Sequence, residues 1–273
     1  DHRDLHSFPT RRSSDLNLAS EAPVLAMPVI WGYDAGHPFN QQAQRLKELG
    51  RSYLIAPGTS TWQSFTGRLD NALTNQVEAV SAAIKYEAQG VLITSWGDNG
   101  SHQPWPTQWI PLASGLAQAW CFAANQKGDF DKACALLGNL NNDDARLTAQ
   151  VLQHIGRLDS LIQKSIRNKS LTWELLTTSE KNLQEILKEV SPAELNESLD
   201  HLDKGRALAE DIRDECVRSE IILGIDCAIA GIRRAQNKPL NEVEKKKLVA
   251  EYKRVWLKRA RIGGLEESLS NLI

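Results

Sequence analysis

The chain has 273 residues, with 32 lysines and arginines against 34 aspartates and glutamates, for a net charge of -2. That balance excludes the basic stripe that a nucleic-acid binder carries, and the absence of an apolar run of about 18 residues excludes a legible membrane-spanning helix. The length suits one large domain or two modest ones, each with its own core.

The first sixteen residues, DHRDLHSFPTRRSSDL, have no helical or strand period and no basic region leading into an apolar core, so they do not read as a signal peptide. They resemble the translation of a sequencing-library adapter, and fold reasoning therefore starts at Asn17. On that reading the gene is expected to continue upstream, and the cellular location is not legible.

From Val24 to Trp31 the run VLAMPVIW reads as a strand buried on both faces. A helix is expected over Gln41 to Leu49, with Pro38 near its first turn and Gly50 ending it. A second strand, Tyr53 to Ala56, stops at Pro57-Gly58. A long helix follows from about Asp70 to Ala88, with Gly90 as its closing glycine. A third strand, Val91 to Trp96, opens into a loop rich in Gly, Asn, Pro and Trp, and Ile110 to Phe122 reads as a third helix.

Three strand-helix units in succession indicate parallel strands with crossover helices. Beyond Asn125 the pattern changes, and residues 125–273 read as a helical domain. Trp173, Leu175 and Leu176, then Leu183, Ile186 and Leu187, then Ile221, Ile222, Ile225 and Ile229 recur at core-facing helical spacings. The basic run Lys245 to Lys247 lies among Glu242, Glu244 and Glu251 and reads as a solvated helix face. Cys121, Cys134, Cys216 and Cys227 are too widely spaced for a zinc ribbon or a redox pair.

The unusual residues fall at the strand C-termini, where parallel α/β barrels bind ligands. Trp31, Tyr33 and Asp34 follow the first strand, Trp62 lies after the second, and Trp96 and Asp98 end the third. Six of the eight tryptophans precede residue 123. Indole faces pack on the apolar C–H patches of a pyranose while carboxylates and amides accept its hydroxyls, so the pairing points to a sugar site. His37 has two readings, as a hydroxyl partner or as a turn residue. Trp105 and Trp109, flanked by prolines, read either as loop staples or as ligand contacts, and Trp120 reads as helix packing. His102 with Asp98 lacks a third metal ligand, so no metal is expected. Asp34 and Asp98 form no convincing acid and nucleophile pair.

Taken together, WGYDAGHPF (residues 31–39), APGTSTWQSFTGRLDNA (56–72) and GVLITSWGDNGSHQPWP (90–106) resemble the last three strand-loop segments of family 20 glycoside hydrolases. The ending WLKRARIGGLEESL (256–269) is similar to the close of the helical domain that follows the barrel in such proteins. The resemblance implies α/β then all-α architecture: residues 17–124 as the last three βα units of a (β/α)8 TIM barrel, then the helical domain. It implies a retaining, exo-acting β-N-acetylhexosaminidase whose substrate acetamide is the nucleophile. The partner implied is a terminal N-acetylhexosamine, with no cofactor. The family's Asp-Glu pair, which orients the acetamide and supplies the general acid, has no counterpart between residues 17 and 122; Asp214-Glu215 lies in a helical pattern and is not assigned that role. Trp96 and Asp98 map onto the family's aromatic wall and hydroxyl-binding carboxylate, with Trp31, Tyr33, Asp34, His37, Trp62 and Trp105 as further candidate contacts. The alternative reading is a non-catalytic carbohydrate-binding or helical interaction module.

Overall fold

The computed structural model describes residue 23 and residues 25–272; the first sixteen residues and Val24 lie outside them. The strands β1 (Val29–Trp31), β2 (Leu54–Ala56) and β3 (Gly90–Val91) form one parallel sheet in the order β1-β2-β3. Val29 pairs with Leu54, Trp31 with Ala56, and Ile55 with Val91. The helices α1 (Phe39–Glu48), α2 (Leu69–Lys85) and α3 (Trp109–Trp120) alternate with them. The described residues thus form an open three-stranded sheet followed by helices, and not a closed barrel.

Local chemistry corrects several expected boundaries. The first strand starts only after Pro28, whose ring nitrogen has no hydrogen to give a ladder, although its carbonyl accepts the Leu54 N–H at 3.0 Å. Gly50 does end α1, at φ +64, with its N–H bonded to the Lys47 carbonyl. Gly90 does not end α2. Glu87 makes that turn at φ +57, and Gly90 opens β3. The third strand is shorter than expected, yet its ladder to β2 persists: Thr94 donates to the Pro57 carbonyl at 3.0 Å and Thr59 donates to Thr94 at 2.9 Å.

Burial on both sheet faces is also corrected. Alternation along a strand sends successive side chains to opposite faces, so Ile30 and Ile55 are buried under α1 and α2 with Phe39, Ala43, Leu46 and Ala79. Val29, Trp31 and Leu92 emerge on the other face, 39–50% exposed. No described element covers them.

The remainder is helical: α4 (Phe130–Gly138), α5 (Asn142–Ile155), α6 (Leu171–Thr177), α7 (Glu180–Leu187), α8 (Pro192–Glu210), α9 (Glu215–Ala235), α10 (Glu242–Arg259) and α11 (Leu265–Ser270). The sequence starts most of them explicitly. Asp129, Asn141, Ser170, Ser179, Ser191, Asp214 and Asn241 each accept a first-turn backbone N–H through the side chain. Ser191 with Glu194 and Asn241 with Glu244 complete reciprocal capping boxes. The stripes expected from spacing do pack inward, with Leu175, Leu183, Ile221 and Ile225 at most 2% exposed. α9 is the axis, packed by α6, α8 and α10.

Sequence character changes at Asn125, but the core does not divide there. One cluster joins Phe65, Leu69, Trp109 and Ile110 from the α/β part to Leu152, Ile155, Leu171 and Ile221 from the helices. The loop between β2 and α2 is the seam. Gln63 accepts the Ser170 N–H at 3.0 Å, and Gly224 of α9 lies so close to the Phe65 carbonyl that any Cβ there collides with it. No helix among the described residues is long and apolar enough to cross a membrane.

Candidate functional site

The three strand ends converge on Tyr33. Its ring centroid lies 5.5 Å from Trp31, 5.0 Å from Trp62 in an edge-to-face pair, and 6.3 Å from Trp96. Glycines leave room for the rings here, Gly58 within the cluster and Gly32 beside it. A Cβ at Gly58 would come within 2.5 Å of the Trp62 ring and 3.0 Å of Tyr33, and one at Gly32 would collide with the His37 ring. The residue types differ in what they present. Trp31 and Trp96 are about half exposed, whereas Trp62 is 1% exposed and forms the floor beneath Tyr33. Burial raises the Tyr33 phenol above its ordinary pKa; hydrogen bonding with Thr94 and Trp96 opposes that shift, and the Asp98 charge adds to it. The hydroxyl therefore stays protonated at neutral pH. Asp98 is exposed at the edge of this cluster.

The other expected contacts have definite places. Asp34 is engaged by the protein itself: Oδ1 accepts from Arg68 Nη1 at 3.0 Å and from the Asn168 backbone at 3.3 Å, and Oδ2 lies 3.9 Å from Arg167. It ties the first loop to the segment before α6. His37 turns toward α1, with Nε2 2.9 Å from Gln42 Oε1 and its ring 4.5 Å from Phe39. Burial, the largest influence, lowers its pKa and favours neutral imidazole.

Trp105 is not drawn into the cluster around Tyr33. It lines a separate cavity of about 480 Å³ with Tyr252, Trp256, Leu223 and Arg259, and its backbone N–H donates to Glu220 Oε2 at 3.0 Å. Trp109 is core, whereas Trp120, read from sequence as packing, is 91% exposed on the outer face of α3.

The loop carrying Trp96 and Asp98 is held from the far end of the chain. Gln103 Nε2 donates to the Trp96 carbonyl at 2.8 Å, and Ser101 N–H donates to Ser268 Oγ at 3.1 Å. His102 is buried, with Nδ1 3.0 Å from the Tyr252 hydroxyl and Nε2 2.9 Å from the Asn99 carbonyl. Burial lowers its pKa to about 4, so it is neutral and both ring nitrogens are occupied. No metal-competent cluster of three such groups occurs among the described residues.

The residues that sequence reading missed are polar side chains on α2. Asn75 is fully buried and donates to the Gly32 and Asp34 carbonyls, both at 3.1 Å, while accepting the Gly58 N–H at 3.2 Å. Asn71 donates to the Tyr33 carbonyl at 2.7 Å and accepts the Ala35 N–H at 2.8 Å. Glu78 accepts the Gly36 N–H at 2.8 Å. These three side chains fix the first loop and the entrance to the second. The available signal was an amide pair at i and i+4 on the face of α2 that otherwise carries Ala72, Ala79 and Val80.

In comparisons with protein-family models and with curated proteins, nothing matches this chain. The geometry alone describes a cluster of aromatic rings at the C-terminal edge of a parallel sheet, with one phenol within it and one exposed carboxylate at its border. Such a surface suits a neutral ligand with apolar C–H faces and hydroxyls.

Proposed function

We propose that this chain contributes the outer sugar-binding edge of a retaining, exo-acting β-N-acetylhexosaminidase of the family 20 type, with the three βα units belonging to a (β/α)8 barrel. The supporting observation is the meeting of Trp31, Tyr33, Trp62 and Trp96 from three successive strand ends, with Asp98 beside them. In this reading Trp96 and Trp31 stack against the apolar face of the terminal sugar, Asp98 accepts from its outer hydroxyls, and Trp62 supports Tyr33 from below. The open sheet face with Val29 and Leu92 at its surface is consistent with units of a larger barrel. The acetamide-orienting Asp and the acid Glu are expected in sequence upstream of these units.

A non-catalytic sugar-binding module is the second reading, and the continuous core between sheet and helices favours it, because such a chain folds as one body. Both readings predict saturable quenching of tryptophan fluorescence by N-acetylglucosamine, abolished in Trp96→Ala. They part on catalysis. The chain alone should release no nitrophenol from a β-N-acetylglucosaminide, and a gene restored upstream should do so under the first reading only. Absence of any saturable sugar response in the intact protein would overturn both.

A further inference from the structure

Two histidines meet between α5 and α8, which pack together. The rings of His154 and His201 are stacked, with centroids 3.7 Å apart and planes 17° from parallel. Each ring reaches across to the other helix: His154 Nε2 donates to the His201 carbonyl at 2.9 Å, and His201 Nε2 donates to the His154 carbonyl at 2.7 Å. Gly205, one turn beyond His201, allows the approach, since a Cβ there would lie 2.6 Å from Ile155 and 3.1 Å from His154. Two residues past His154, the Gly156 carbonyl accepts the Leu69 N–H at 2.7 Å and so fastens the start of α2 to the end of α5.

A carbonyl can only accept, so both Nε2 atoms carry hydrogen and each neutral ring keeps its lone pair on Nδ1. No described group bonds to either Nδ1, and neither is sealed from solvent, so protons enter there. The first proton places one charge over a neutral ring. The second sets two like charges 3.7 Å apart while both carbonyl bonds persist, so only separation of α5 from α8 relieves the repulsion. Few other charges bear on the pair. Lys204 and Glu197, both on α8, act on His201 in opposite senses. Arg157, on the next turn of the chain after His154, is held by Asp70, and Arg206 of α8 is held by Asp226 of α9. Burial, the largest influence, lowers the His201 pKa. Neutral His201 therefore supports the fold above its unfolded value of 6.5, and that support is lost as pH falls below it.

We propose that this stacked pair is an acid-sensitive latch, which holds α5 to α8 while at most one ring is charged and releases them, and with them the start of α2, when both are. The latch is independent of the sugar-binding reading.

Two measurements on the whole chain test it. Nuclear magnetic resonance of the ring C–H groups should show the pair titrating in two steps more than about one unit apart. Overlapping steps would overturn the proposal. Backbone amide protection factors, which remove the intrinsic pH dependence of exchange, should be compared at pH 7 and pH 4.5 in the unaltered chain and in His201→Gln. That variant keeps a donor for the His154 carbonyl and carries no charge. Across residues 150–157 and 198–205 and at Leu69, the fall in protection on acidification should be at least about fivefold larger in the unaltered chain, the size of the repulsion at its most screened. His102 and Asp159, which titrate in the same window, are common to both chains and cancel in the comparison. Equal falls in the two chains, in the helices or at Leu69, would overturn the latch. Should His201→Gln fail to fold, the separation of the two titration steps still decides the matter.

Discussion

Asn75→Ala tests whether the aromatic cluster is held in place from α2. The substitution removes two donated bonds, to Gly32 and Asp34, and leaves the Gly58 N–H without its acceptor in a buried position. Stranding one buried backbone donor costs about 1–3 kcal/mol, and the two freed carbonyls add to that, for a total of about 2–4 kcal/mol. In a protein of this size each kcal/mol lowers Tm by roughly 2–4 °C, so a fall of about 4–16 °C is expected. Asn75→Asp sharpens the test: its oxygen can still accept from Gly58, but it faces two carbonyls that the amide donated to. Its folded pKa must therefore lie above the ordinary carboxylate value of about 3.9. A carboxyl raised in the folded state favours folding below its unfolded pKa and loses that contribution as pH rises through the folded value. Asn75→Asp should accordingly be the worse variant at pH 7 and approach Asn75→Ala near pH 4. Thermal melts followed by far-ultraviolet circular dichroism and tryptophan fluorescence at both pH values give the answer. A Tm change under about 1 °C for Asn75→Ala, or an Asn75→Asp variant insensitive to pH, would refute the reasoning.

Trp62→Ala should separate support from contact. Deleting a fully buried indole costs about 3–5 kcal/mol, so chemical denaturation should show that loss, together with an altered Tyr33 environment in the near-ultraviolet spectrum. His102 sets a pH limit. Its folded pKa, near 4 through burial, lies below its unfolded value of 6.5. The neutral ring therefore stabilises the fold above pH 6.5, and that contribution is lost as pH falls from 6.5 to 4. His102→Gln should show a shallower decline in Tm across that window, and an unchanged slope would count against this assignment.

The α/β-then-helical order was legible because its signals are local. Gly50 and Pro57 punctuate the chain, and period-3.6 stripes such as Ile221 and Ile225 fix the face of a helix wherever it packs. The meeting of Trp31, Trp62 and Trp96 was foreseeable from their shared position at strand ends. Their unequal roles were not, because exposure depends on the neighbours that Gly58 and Tyr33 provide. Asp34 looks like a free hydroxyl acceptor in sequence, whereas its guanidinium partner is 34 residues away and its backbone partner 134 residues away. Trp120 shows the converse: its helical spacing suggests burial, yet no described element covers it. Gly90 misled because a glycine after a helical run is usually its C-cap, and here the turn falls on Glu87 three residues earlier.

The loop after β2 bears on how such a protein can change by mutation. Residues 59–68 are enclosed between the sheet edge and α9, with the Phe65 carbonyl against Gly224. Exchanging or lengthening this segment, the usual way to retune an α/β scaffold, would force α9 outward and disturb the helical core. Variation in ligand preference is therefore expected to arise in the more exposed segments, residues 33–38 and 97–101, while the middle loop behaves as framework and diverges slowly.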